Sequence, residues 1–280
     1  MASSQLRVAG VQMLSRPQVD ANLRDAEALI AEAVRAGCRL VALPEYFCLM
    51  GQDVDKVAVR EQDGRGPIQS FLAETAAKHR IWLVGGTVPL DCGRTDRVNN
   101  SVLVFDPRGE RVARYDKIHL FAFSRGSESY DEARTIAPGS QVTGFALDPT
   151  VGVDVPRLRV GLSVCYDLRF PELYRALSQP NLAPDLILVP AAFTATTGRA
   201  HWEVLLRARA IENLCYVLAP AQGGLHENGR ATFGHTMLIN PWGEVVARRE
   251  QGPGIVVGEI DPNVIAKSRA DLPALSHRVL

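Results

Sequence analysis

No apolar run in this chain approaches the roughly 18 consecutive residues that a membrane-spanning helix needs. The stretch Met1-Ala2-Ser3-Ser4-Gln5-Leu6-Arg7 has no apolar core of the signal-peptide kind, and Ala2 excludes the myristoylation motif. His277-Arg278-Val279-Leu280 matches neither a prenylation nor a peroxisomal signal. A cytoplasmic protein without a membrane partner is expected. An excess of one charge is missing too: 31 Lys and Arg balance 31 Asp and Glu in 280 residues. With no basic block anywhere, nucleic acid is not the expected partner. Cysteine is scarce. Cys38, Cys48, Cys92, Cys165 and Cys215 are odd in number and form no C-x-x-C pair, which argues against a disulfide framework and a thiolate zinc site.

Familiar ligand motifs are absent as well. The chain has no G-x-x-x-x-G-K-[ST], no G-x-G-x-x-G and no H-E-x-x-H. His201-Trp202-Glu203 matches half of a zinc-deaminase signature, but no P-C-x-x-C follows. Six scattered histidines offer no metal-ligand spacing. Neither a metal nor a cofactor is expected.

What remains is an ordinary globular composition, 46% hydrophobic, read as one domain over residues 1–280 with a core of about 6–260 and a polar tail from 261. Strand and helix periods alternate throughout. Strands are predicted at Leu6–Met13, Leu40–Leu43, Ile81–Val88, Ser101–Phe105, Arg111–Tyr115, Leu158–Val164, Asp185–Val189, Tyr216–Ala219, Thr236–Ile239 and Ile255–Ile260. Helices are predicted at Asp20–Ala36, Pro67–His79, from near Pro171, and about Trp202–Asn213. Asp106-Pro107-Arg108-Gly109-Glu110 and Asn240-Pro241-Trp242-Gly243-Glu244 read as two copies of one hairpin turn. The pattern suggests two mixed sheets packed together with helices on their outer faces, and two halves hinting at pseudo-symmetry.

Within Gly161-Leu162-Ser163-Val164-Cys165, Ser163 falls inside a strand, and Cys stands where a serine nucleophile elbow needs Gly. Cys165 is the distinctive cysteine. It ends a strand just before a helix opened by Pro171, where free backbone N–H groups and a helix dipole favour a thiolate. The other four read as small buried hydrophobes. Glu45 and Lys117 follow strands in the same way, and three such groups converging at one sheet end would combine a base, a cation and a nucleophile. His119 and His201 leave a Cys–His dyad open at this point. A binding module without catalysis also remains.

Leu43-Pro44-Glu45, Tyr115-Asp116-Lys117-Ile118-His119-Leu120 and the run from Gly161 to Glu172 resemble the three catalytic blocks of the nitrilase superfamily of carbon–nitrogen hydrolases. The resemblance implies a four-layer αββα sandwich, a Glu-Lys-Cys triad, no cofactor, and a homodimer or larger even assembly. By position, Glu45 is the general base, Lys117 the cation and Cys165 the nucleophile. The backbone N–H of Tyr166 joins Lys117 as oxyanion donor. A second family glutamate maps onto Glu132 ahead of Pro138-Gly139, with Glu128 nearby as its rival. Pro190-Ala191-Ala192-Phe193, Gly198–Glu212, Ala221-Gln222-Gly223-Gly224 and Gly234-His235 are similar to the Nit branch of ω-amidases, deaminated-glutathione amidases in particular. The implied substrate is a small ω-amide bearing a carboxylate, cleaved to acid and ammonia through a thioester. Other ω-amides and N-carbamoyl amines are alternatives. Phe193, Trp202 and Phe170 are expected to form apolar walls, and Arg169, Arg199 and His201 to hold carboxylates.

Overall fold

The computed structural model describes residues 5–126, 128–151, 153–179 and 183–279. Met1–Ser4 and Leu280, which entered the reading of the termini, lie outside them. Among the described residues, no helix is long and apolar enough to cross a membrane.

The strands bury both faces, and that decides the architecture. In the strand Leu40–Ala42, Leu40 and Ala42 point into a core shared with a second sheet. Val41 and then Leu43 point the other way, into a core shared with helices. Strands sandwiched like this read as continuous apolar runs rather than as alternation. The first sheet has eight strands, ordered Gly254–Ile260, Leu6–Gln12, Leu40–Ala42, Trp82–Val84, Val98–Phe105 and Val88–Asp91. Arg111–Asp116 and Ile136–Ala137 also pair with Val98–Phe105. The second has six, ordered Gly144–Ala146, Arg159–Leu162, Leu186–Leu188, Tyr216–Ala219, Thr236–Ile239 and Val245–Arg249.

Each sheet carries the same device. Three parallel strands stand in a row, in register Val8–Leu40 and Leu40–Trp82 in the first and Val160–Leu186 and Leu186–Tyr216 in the second. Antiparallel strands flank each trio, and a Pro-x-Gly turn closes the last antiparallel pair. The suspected pseudo-symmetry is therefore real at the level of strand order, although no residue-by-residue repeat accompanies it.

Helices α1 (Val19–Arg35), α2 (Asp53–Ala58), α3 (Pro67–His79), α4 (Pro171–Leu177), α5 (Ala195–Asn213) and α6 (Pro262–Asp271) complete the layers. From α1, Ala26, Ile30 and Ala33 join Ile68, Leu72 and Ala76 of α3 over the outer face of the first sheet. Trp202, Leu206 and Ala210 of α5 pack with Leu173 and Tyr174 of α4 into the core of the second. The order helix, sheet, sheet, helix is the expected αββα sandwich.

Several expected elements differ. Ile81–Val88 is two strands, because Gly85-Gly86 breaks the run and Gly86 adopts φ +51°. Helix α5 begins at Ala195, seven residues before the predicted start. Thr194 caps it, its Oγ1 accepting from the Thr197 N–H at 3.3 Å. The region after residue 260 is not merely a tail: Asp261 caps α6, Pro262 occupies its first turn, and Ile265 is buried in the main core. Between Cys165 and Pro171 a 3-10 turn, Cys165–Arg169, precedes α4. Two small hairpins went unpredicted, Ala122–Arg125 with Glu128–Asp131 and Gly223–Leu225 with Ala231–Phe233.

Gly86 lies against the backbone that carries Glu45. A Cβ there would stand 2.1 Å from the Pro44 carbonyl oxygen. Gly86→Ala is expected to lower stability by roughly 1–3 kcal/mol or more, since it adds a clash to a left-handed residue. For a chain of this size that is a fall in Tm of about 2–4 °C per kcal/mol. Turnover should fall at least tenfold even well below Tm, because Pro44 must shift. Thermal unfolding followed by circular dichroism, with activity measured at 25 °C, checks both. An unchanged Tm and rate would show that the loop absorbs the methyl group.

Candidate active site

The C-terminal ends of the parallel strands of both sheets meet at one place, the usual location for ligands in open α/β sheets. Glu45 follows Leu40–Ala42, Cys165 follows Arg159–Leu162, Ala192 follows Leu186–Leu188, and Gln222 follows Tyr216–Ala219. Short hydrogen bonds tie these ends together. The Cys165 N–H donates to the Pro190 carbonyl at 2.9 Å, and Gln222 Nε2 donates to the Glu45 carbonyl at 3.1 Å.

At the centre is a buried ion cluster. Lys117 Nζ lies 2.9 Å from Glu45 Oε1 and 2.7 and 3.0 Å from the two oxygens of Glu132. Neither Lys117 nor Glu45 has any exposed surface. Every carboxylate oxygen is served. Glu45 Oε1 also accepts from Asn100 Nδ2 at 3.0 Å, and Glu45 Oε2 accepts the Ala192 N–H at 2.9 Å. Glu132 Oε1 accepts from Tyr46 OH at 2.8 Å, and its Oε2 from the Phe121 N–H at 2.8 Å. Burial alone would raise the Glu132 carboxyl, but Lys117 and these donors outweigh it and hold the group at about 2. Burial likewise opposes the charge on Lys117, and Glu132 and Glu45 more than offset this, so its ammonium is held above the ordinary lysine range.

Cys165 is buried at the edge of this cluster with φ +49°, and Tyr46, next to Glu45, has φ +57°. Non-glycine residues in this left-handed region are uncommon and cost about 1–3 kcal/mol each, and they gather at functional sites. The strain at Cys165 is held by Asp167. Its Oδ2 accepts the Val164 N–H at 2.8 Å and Tyr115 OH at 2.6 Å, while its Oδ1 accepts the His119 N–H at 3.0 Å. Burial first, and the Glu45 charge second, push the Cys165 thiol well above its ordinary value, with Lys117 pulling the other way. The thiol therefore rests protonated beside a carboxylate.

A narrow cleft opens at Cys165, lined by Phe121, Glu132, Tyr166, Ala192, Phe193, Thr194, Thr197 and Arg230, with room for roughly one water molecule. Of the six residues expected to hold substrate, only Phe193 lines it. Trp202 is fully buried core, its Nε1 donating to the His235 carbonyl at 2.9 Å. Phe170 stacks on the His119 ring with centroids 3.7 Å apart. Arg199 and His201 are exposed and line a separate groove along α5. Arg169 is half-buried, lies over the Tyr166 and Phe193 rings, and reaches His201 Nδ1 at 3.3 Å; it pairs with neither Glu172 nor Asp167.

Other expectations are resolved by the same geometry. Glu132, not Glu128, reaches Lys117; Glu128 accepts from Thr196 Oγ1 at 2.7 Å on the Ala122–Asp131 hairpin. Ser163 is fully buried, donating to the Leu188 carbonyl and accepting from Tyr174 OH, so it is not an exposed hydroxyl. His119 Nδ1 lies 2.7 Å from Asp167 Oδ1, and neither His119 nor His201 lines the thiol cleft. Asn100, Tyr46, Asp167 and Arg230 were not singled out from the sequence. Asn100 sits in a polar stretch, Asn99-Asn100-Ser101, within the strand Val98–Phe105, and is buried there.

Comparison with known proteins shows the family. The family model described as Carbon-nitrogen hydrolase matches residues 7–270. The chain is 41% identical over 273 residues to a deaminated glutathione amidase of Synechocystis, covering 97% of each chain. It is 37% identical over 275 residues to the human deaminated glutathione amidase, covering 97% of this chain and 81% of the relative. The crystal structure of Saccharomyces cerevisiae Nit3, described as a member of branch 10 of the nitrilase superfamily, superposes with a TM-score of 0.86 at 30% identity, covering 100% of this chain and 98% of that one. With the match running nearly end to end through every strand that delivers Glu45, Lys117 and Cys165, the chain belongs to the carbon–nitrogen hydrolase family.

Proposed function

We propose that this protein hydrolyses a small carboxylate-bearing ω-amide of the deaminated-glutathione type through a thioester on Cys165. The observation that carries the reading is the buried Glu45–Lys117–Glu132 cluster at whose edge the Cys165 thiol lies. The names of the relatives support the substrate class. Glu45 accepts the thiol proton as sulfur attacks the amide carbonyl, because only the thiolate is an efficient nucleophile. The developing oxyanion lies between Lys117 Nζ and the Tyr166 N–H, at the start of the 3-10 turn where backbone donors have no intrahelical acceptor. One such donor is typically worth about 2.7–4 kcal/mol. Glu45 returns the proton to the leaving nitrogen, then activates the water that hydrolyses the thioester. A primary amide releases ammonia in this step. With deaminated glutathione, whose amide nitrogen carries a peptide, the leaving group is an amine.

Glu132 has a different task. Held at about 2, it stays ionised throughout and keeps Lys117 charged while Glu45 cycles between protonation states. Glu132→Gln is therefore expected to cost much less activity than Glu45→Gln. Lys117→Arg should be nearly as inactive as Lys117→Ala, since a planar guanidinium does not fit the space of a buried ammonium. Initial rates of the four purified variants check this; the reverse order for the glutamates would exchange their roles.

Cys165→Ala is expected to abolish turnover without lowering Tm. In a Cys92→Ala background, which removes the half-exposed cysteine, iodoacetamide should modify Cys165 first, and Glu45→Gln should slow that reaction. Intact-protein mass spectrometry over time reads both; first modification at Cys48 or Cys215 would remove the proposed nucleophile.

Substrate class is tested by kcat/KM for deaminated glutathione, α-ketoglutaramate, N-carbamoyl-β-alanine and a simple aliphatic nitrile. The first two are expected to lead. A tenfold preference for either of the others, about 1.4 kcal/mol of transition-state discrimination, would overturn the reading.

A further inference from the structure

Arg230 is the cation that lines the thiol cleft, and its position poses a problem of charge. It precedes the strand Ala231–Phe233 on a short, well-tied hairpin. The His226 N–H donates to its carbonyl at 2.9 Å, and its own N–H donates to Asn228 Oδ1 at 3.0 Å. Asn228 Nδ2 in turn donates to the Gly51 carbonyl at 2.8 Å. The guanidinium reaches inward from there. Its Nη2 donates to the Ala192 carbonyl at 2.9 Å, the same residue whose N–H donates to Glu45. One face lies over the Tyr130 ring, 5.2 Å from the centroid. Its Nε is enclosed by protein and has no hydrogen-bond partner. Among the described residues Arg230 forms no ion pair.

A partly buried guanidinium with five donors, one protein acceptor and no carboxylate in contact is an expensive arrangement. Arg209 and Arg114 are held differently. Arg209 packs under Tyr174, donates twice to the Leu168 carbonyl and pairs with Glu212 at 2.8 Å. Arg114 pairs with Asp116 and Asp63. Arg230 instead faces a cleft beside Cys165 and Glu132 with its Nε unspent. Glu132 itself is fully occupied by Lys117, Tyr46 and the Phe121 N–H, so it does not supply the missing anion.

We propose that Arg230 is the specificity residue of this amidase, its guanidinium binding a carboxylate of the substrate at the cleft while the amide faces Cys165. The proposal rests on the amidase reading for the identity of the reaction, but not for the presence of the anion site. A carboxylate accepts in the plane of the guanidinium, and two of its N–H groups side by side form a two-pronged donor suited to it. The Ala192 bond and the Tyr130 ring fix that plane, so little side-chain freedom is lost on binding. Arg169, by contrast, lies over two rings and contacts His201, outside the cleft lining.

Two measurements test this. The first is the ratio of kcat/KM for glutaramate, an ω-amide ending in a carboxylate, to that for its neutral methyl ester, in wild type, Arg230→Met and Arg230→Lys. Wild type should prefer the anion, and Arg230→Met should lower the ratio at least tenfold. Arg230→Lys should recover part of it, having charge without the fork. The second is calorimetric binding of glutarate to Cys165→Ala protein with and without Arg230→Met, with thermal unfolding as the control for folding. A tenfold weaker Kd in the double variant is expected. A ratio and a Kd unmoved by Arg230→Met in folded protein would overturn the proposal. If wild type hydrolyses neither these amides nor deaminated glutathione yet glutarate binding still depends on Arg230, the amidase reading fails and the anion site stands.

Discussion

Everything at the functional end of this molecule depends on packing Lys117, Glu45 and Glu132 together out of contact with bulk solvent. Removing three charges from solvent is costly, and mutual attraction repays it only when the remaining lone pairs and protons are also satisfied. The protein meets that requirement from both sheets at once. Asn100 and Lys117 come from the first sheet and its connection, and the Ala192 N–H comes from the end of a strand in the second. Glu45 thus bridges the two sheets with a single carboxylate. The sandwich cannot slide without breaking one of its bonds, so sheet packing and site geometry are one constraint.

That same constraint explains what the sequence made legible and what it hid. Strand–helix alternation was readable because apolar content follows the fold's layering, and α3 was found end to end because Pro67 opens it and His79 closes its periodic run. Boundaries failed where one backbone feature overrode composition. Gly86, with φ +51°, breaks an apolar stretch that otherwise reads as one strand. Gly198 lies inside α5, where glycine usually argues against helix, because the Phe233 side chain leaves a Cβ no room, only 2.3 Å away. The region after Ile260 reads as a polar tail by composition, but Pro262 stands at a first helical position, where proline is well placed.

The site divides in the same way. Glu45, Lys117 and Cys165 were readable because each sits in a block with a recognisable order. Residues that act through one hydrogen bond carried no such mark. Asp167 looks like any polar residue after a strand, yet it is fully buried and fastens Val164, Tyr115 and His119 around the strained cysteine. Arg230 follows Asn228-Gly229, a plain turn signal that draws attention away from its side chain. Conversely, Trp202 and Arg199 were attractive because they sit in a motif-rich helix. Helical periodicity turns one into the core and the other out to solvent.

The choice of a carboxylate over an imidazole as the proposed base follows from the charge balance. With Glu45 and Glu132 both ionised against one Lys117, the cluster carries a net negative charge, and a thiolate beside it would add a second. Hence the thiol rests neutral, and sulfur becomes nucleophilic only as its proton passes to Glu45. That transfer leaves Glu132 and Lys117 as a neutral pair, and the new negative charge moves onto the substrate oxygen beside the ammonium. An imidazole in the place of Glu45 would be neutral at rest and cationic after the transfer, adding positive charge next to Lys117 in a low-dielectric site. His119, the nearest candidate by sequence, is in any case tied by Nδ1 to Asp167 and stacked on Phe170. A permanent ammonium therefore calls for a base that becomes neutral, not positive, when it takes the proton, and a carboxylate is that base.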